Sequence, residues 1–142
     1  FNVINHKKTI KNLKKILNDK SLIFIVFNHR DLQNKIQLNV ENIIKSNIKD
    51  YSYGLRRKDL KPFLVKFKNF SEIKIYKHKF QNKILAKNFV DGFKSHATIK
   101  KQSKRKFNKI IKEIGKYVLL KKKKYISVPY TTVIYTLKFR IK

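Results

Sequence analysis

The 142-residue chain has no cysteine, no methionine and no tryptophan, three glycines, two prolines and only eight Asp and Glu residues. Without cysteine it can form neither disulfides nor thiolate metal sites. The acids stand singly, as Asp19, Asp31, Glu41, Asp50, Asp59, Glu72, Asp91 and Glu113. No pair has a defined spacing and no Ser–His–Asp order stands out, so a catalytic constellation is not expected. Three glycines are too few for a phosphate-cradling loop and the remaining turns. His6, His29, His78 and His96 are scattered, which argues against a metal site. Neither an enzyme nor a cofactor is therefore expected. Long apolar runs are missing as well. The longest, Leu22 to Phe27, is strand-sized, whereas a bilayer span needs about 18 residues. The opening FNVINHKK lacks the apolar segment of a signal peptide, and Phe1 reads as a processed end or an unusual start. No membrane partner is expected.

What is abundant is positive charge. There are 37 Lys and Arg residues, giving a formal net charge of +29, far more than solubility requires. A folded body with that charge repels itself, and a polyanion would relieve the repulsion. The chain is also 42% hydrophobic and 13% aromatic, unlike a disordered basic tail. A core ringed by cations is the simplest reading. The excess of Lys, Ile and Asn fits an AT-rich gene from an organellar or similarly biased genome.

Along the chain, Ile10, Leu13, Ile16 and Leu17 predict a short amphipathic helix over residues 6–18. Residues 21–28 read as a buried strand. Residues 35–40 alternate Ile36, Leu38 and Val40 with polar residues and read as a half-buried strand. Residues 41–49 suit a helical turn or a loop. After Gly54, a helix should hold Leu60, Phe63, Leu64 and Phe67, with Pro62 in its first turn. Residues 71–78 read as a third strand. Between Asn82 and Ile114 two helices are expected. Leu85, Ala86, Phe89, Val90 and Phe93 form the stripe of the first. Ile99, Phe107, Ile110, Ile111 and Ile114 form the stripe of the second, which Thr98 would cap. After Gly115, YVLL reads as a strand, Lys121 to Lys124 as a basic run, and residues 126–142 as one or two strands begun or broken by Pro129. The fold class is α+β. A soft boundary divides the chain into residues 1–80 and 81–142.

Residues in this order resemble a known family. Gly54-Leu55-Arg56-Arg57, within a strand–strand–loop–helix–strand series, looks like the loop of a prokaryotic-type KH domain, with Arg57 in place of the second loop glycine. ILAKNF (84–89), TIKKQSKRKF (98–107), Gly115-Lys116-Tyr117-Val118 and Val128-Pro129-Tyr130-Thr131-Thr132 are similar to the C-terminal domain of the small-subunit ribosomal protein of the S-three family. A Gly-Arg-Leu segment expected between Leu120 and Val128 is absent, as is the family's usual start, so a shortened or split form is implied. The resemblance implies a KH-like domain with a degraded loop over 1–80 and an α+β domain over 81–142. It further implies a structural constituent of a mitochondrial small ribosomal subunit, with plastid as the alternative location. Its partners would be rRNA, mRNA at the entry channel, neighbouring small-subunit proteins and a separate chain supplying missing family segments.

The implied RNA-binding residues are Arg56, Arg57, Lys58, Lys100, Lys101, Lys104, Arg105, Lys109 and Lys121, Lys122, Lys123 and Lys124. A plainer reading makes the same cations a solvated face. A second functional reading is a free-standing KH-type RNA-binding or processing factor, although the altered loop counts against a backbone-clamping grip. Tyr76, Tyr117, Tyr125 and Phe139 could stack on bases, although aromatic residues in strands more often belong to the core.

Overall fold

The computed structural model describes residues 5–53 and 57–141. The elements are α1 (His6–Ile16), β1 (Leu22–Arg30), α2 (Lys35–Asn47), the one-turn α3 (Lys61–Leu64), β2 (Phe70–Leu85), α4 (Ala86–Lys94), α5 (Ala97–Ser103), a 3-10 turn (Lys104–Lys106), α6 (Phe107–Leu119) and β3 (Tyr125–Phe139). The three strands form a sheet in the order β1–β3–β2. Hydrogen bonds join Lys20 to Phe139 and Asp31 to Pro129 on one side of β3, and Arg140 to Asn69 and Ala86 to Lys124 on the other; both series run in opposite chain directions, so both pairs are antiparallel. The α+β class expected from the sequence is what the chain adopts.

Packing divides the chain into two interleaved units. One comprises residues 1–29, 54–78 and 132–142, the other residues 30–53 and 79–131. The expected boundary near residue 80 is sequential, whereas these units interleave along the chain. β2 and β3 are long enough for each to supply a segment to both units, so the chain crosses between units several times.

In the first unit, Ile25, Leu60, Leu64, Phe70, Val133, Tyr135, Leu137 and Phe139 make the core, with Ile10 and Leu13 of α1 and Leu17 at its end packed against it. Asn5 caps α1 by accepting the Lys8 N–H at 3.1 Å. Ile16, which its spacing puts on the apolar stripe, is exposed. The apolar run of β1 predicts burial on both faces. Ile23, Ile25 and Phe27 do face the core, but Leu22, Phe24 and Val26 point away and are more than half exposed. A single helical layer covers one face of a sheet only. The helix expected around Leu60 to Phe67 closes after Leu64, and turns from Phe63 to Lys66 and Leu64 to Phe67 lead into β2.

In the second unit, α6 is packed by α2, α4 and α5. Ile110, Ile114 and Val118, four residues apart, are fully buried along α6, and burying each contributes about 1.5–3 kcal/mol. Val40, Ile44, Ile48, Ala86, Phe89, Val90, Phe93, Ile99, Ile126 and Val128 complete the core.

Four expectations are corrected here. Residues 35–40 are helical, not a strand. The buried face of α2 carries Gln37, Val40, Glu41, Ile44 and Asn47, and three of these five are polar, which hides a 3.6-residue period from a reading of apolar residues alone. Residues 117–119 continue α6 rather than starting a strand. Gly115 lies inside the helix, where a Cβ would make ordinary van der Waals contact with Val90 at 3.6 Å, so this glycine is not a break. Residues 82–85 end β2 rather than begin α4. The helix expected across 98–114 is broken at Lys104 (φ 50°, ψ −119°), and its cap is His96, whose Nδ1 accepts the Ile99 N–H, not Thr98.

Pro129 sits inside β3, the central strand. Its carbonyl accepts the Asp31 N–H at 3.2 Å and the Gln37 side-chain amide. In an extended residue N–H and C=O point the same way, so the missing proline N–H faces Asp31, one residue beyond the end of β1, where no ladder bond is forfeited.

Candidate nucleic-acid interface

The cations near the start of α6 owe their placement to the apolar residues between them. Ile99 on α5 and Ile110 and Ile114 on α6 are fully buried. Lys100, Lys101, Lys104, Arg105 and Lys109, spaced off that stripe, are all exposed. Among the described residues no acid pairs with Lys100, Lys101, Lys104 or Arg105. Lys109 lies 3.7 Å from Glu113, an exposed pair that contributes little. Lys106 is tied down, its Nζ donating to the Asn47 carbonyl at 3.3 Å. Lys112 and Lys116, absent from the residues that the sequence nominates, are exposed on α6 as well.

Lys104 takes a backbone conformation that favours glycine. Its strain, of order 1–3 kcal/mol, ends α5 and redirects the chain into the 3-10 turn of Lys104, Arg105 and Lys106. Three consecutive cations thus stand on a tight turn instead of being spread around a helix.

Lys121 to Lys124 form the turn from α6 into β3, and all four are exposed. Lys122 has φ 52°, and its N–H donates to the Leu119 carbonyl at 3.0 Å. Part of this charge complements the negative C-terminal end of α6. The Lys121 ammonium lies 4.8 Å from the Tyr117 ring centre. The Lys124 carbonyl accepts the Ala86 N–H at 3.0 Å, which fixes the end of the turn against the start of α4. The aromatic candidates divide cleanly. Phe139 is fully buried core, whereas Tyr76 and Tyr125 are 53% and 47% exposed. Tyr117 is half-buried, and its hydroxyl accepts from Asn39 at 2.9 Å.

The structure brings Lys100, Lys101, Lys104, Arg105, Lys109 and the 121–124 turn into one compact unit. Arg57 and Lys58 are exposed and belong to the other. Gly54, Leu55 and Arg56, the first three residues of the KH-type loop, lie outside the described residues. The second unit holds twenty Lys and Arg against five acids, the first seventeen against three, so each is basic in its own right.

The few acids are largely engaged. Asp91 and Glu72 each accept from a lysine, Lys94 at 2.6 Å and Lys138 at 2.8 Å, and those hydrogen bonds hold both carboxyls below their usual range. Glu41 is buried with Arg30. Glu41 is thereby withdrawn from the surface, and the cations without an acidic partner can hold several phosphates at once. Among the described residues no helix is long and apolar enough to cross a membrane, and no group of three His, Asp or Glu residues could hold a metal. Set beside known proteins, the chain matches no family model and no curated protein.

Proposed function

We propose that the chain is a structural, RNA-anchored constituent of a small ribosomal subunit, of the S-three type and mitochondrial, contributing a basic wall where messenger enters. One observation carries the reading. Around α5 and α6 the fold uses the isoleucines and leaves Lys100, Lys101, Lys104 and Arg105 at the surface without an acidic partner among the described residues. Salt screens the mutual repulsion of such cations in part, and a polyanion would relieve it further. Binding would proceed by counterion release from folded RNA, with the helices and the sheet fixing the geometry.

The KH-like part of the reading carries less. Its strand–strand start is absent because residues 35–47 are helical, so no KH grip is invoked. The alternative of a free-standing KH-type factor weakens for the same reason. The test is sedimentation of native extracts at low salt. The chain should travel with small subunits and be released as salt rises. A chain that sediments free of subunits at low salt defeats the proposal.

A further inference from the structure

We infer that Tyr125, with Lys83 and Lys124, forms a binding site for one unpaired nucleotide, a base stacking on the ring while the ammonium groups take the flanking phosphates. The inference rests on the RNA-binding reading and adds a ligand class and a site to it. Tyr125 opens β3 at the end of the Lys121 to Lys124 turn, and nearly half of it is exposed. The next residue, Ile126, is buried in the core, so strand alternation turns Tyr125 outward. Lys83 comes from the far end of β2, and its ammonium lies 5.5 Å from the Tyr125 ring centre. That of Lys124 lies at 5.9 Å.

Among the described residues neither ammonium forms an ion pair with an acid, so the two repel each other beside one exposed ring. Exposed cation–π contacts are weak, and an arriving base can displace either ammonium from the ring. Every base has a face that stacks, so the site selects unpaired over paired nucleotides, not one sequence over another. A duplex offers phosphates to the lysines but no free base face to the ring.

The test uses the full chain, a short labelled oligouridylate and a short RNA duplex. Tyr125→Leu keeps an apolar side chain at an exposed position and should leave the circular dichroism spectrum unchanged. It should weaken oligouridylate binding about ten-fold and leave duplex binding unaltered, while Tyr125→Phe should retain both. Lys83→Ala should weaken single-strand binding and flatten its salt dependence. Equal effects of Tyr125→Leu on both RNAs, or none on either, overturn the inference while leaving RNA binding in place. A wild-type chain that binds neither RNA overturns the proposed function and this site together. Leu119 and Leu120 are exposed beside the same turn, so vesicles of phosphatidylglycerol form a further arm. Loss of vesicle binding in Tyr125→Leu with RNA binding intact would also overturn the inference.

Discussion

Glu41 is the most buried charge described in this protein. It is 1% exposed, 3.0 Å from Arg30 and 3.9 Å from Lys45, and accepts from the Tyr53 hydroxyl. Arg30 also lies 5.2 Å from the Phe93 ring centre. A charge withdrawn from water needs a charged partner, and Glu41→Gln replaces the carboxylate that faces Arg30 with a neutral amide. Urea unfolding should show a loss of about 3–5 kcal/mol. A loss under about 1 kcal/mol, the range of exposed pairs, would mean that water reaches the pair. Tyr135 gives a pH signature in the other unit. Its hydroxyl accepts the Leu60 N–H at 3.1 Å and donates to Asp59 at 3.2 Å. Burial, with the nearby Asp59 charge, raises its pKa above 10.0, against the Leu60 hydrogen bond. The folded state therefore favours the neutral phenol. Its contribution is fully present below about pH 10, where the unfolded tyrosine ionises, and is lost as pH rises through the higher folded value. Tyr135→Phe should flatten the alkaline fall in stability without abolishing it, because burial raises the pKa of Tyr130 too. The same substitution leaves the Leu60 N–H without an acceptor, at about 1–3 kcal/mol at neutral pH. An unchanged alkaline slope would show that Tyr135 is not its source.

At the scale of elements, the break at Lys104 makes the clearest claim. A lysine there occupies backbone space suited to glycine, so Lys104→Gly should raise stability by about 1 kcal/mol while removing one exposed charge. A rise in the thermal midpoint with weaker RNA binding is the expected pair of results; a fall in the midpoint would show that the lysine is not strained. The same stretch shows what local pattern could and could not supply. Ile99, Ile110 and Ile114 were legible as buried, although as the stripe of one helix rather than of α5 and α6, and with them the exposure of Lys100, Lys101, Lys104 and Arg105. The break was not legible, because nothing in the sequence around Lys104 departs from helical preference. The helical character of α2 was hidden for a different reason. Six residues of alternation cannot be told from a helix whose buried face carries Gln37 and Glu41, and those polar residues become tolerable inside only once Pro129 and Arg30 arrive as partners.

For the whole molecule, the governing quantity is charge. Changing Lys100, Lys101 and Lys104 together to alanine should leave the fold nearly intact, since none lies on the buried stripe. The slope of log affinity for ribosomal RNA against log salt should fall by up to about three, one for each phosphate left without its lysine. If the helices line a messenger entry, translation of structured messages should suffer more than that of unstructured ones. Equal losses on both would remove the entry role and leave plain RNA anchoring. Composition alone settled that this is a core ringed by cations, because counts of charged and apolar residues require no knowledge of which residues touch, and the helix stripes settled which lysines face outward. Only the tertiary structure decided that the chain interleaves two units, that 35–47 is helical, and that Lys83 and Tyr125, forty-two positions apart in the chain, stand together. Strand pairing fixes such juxtapositions, and pairing between distant segments leaves no local trace in the residues that take part.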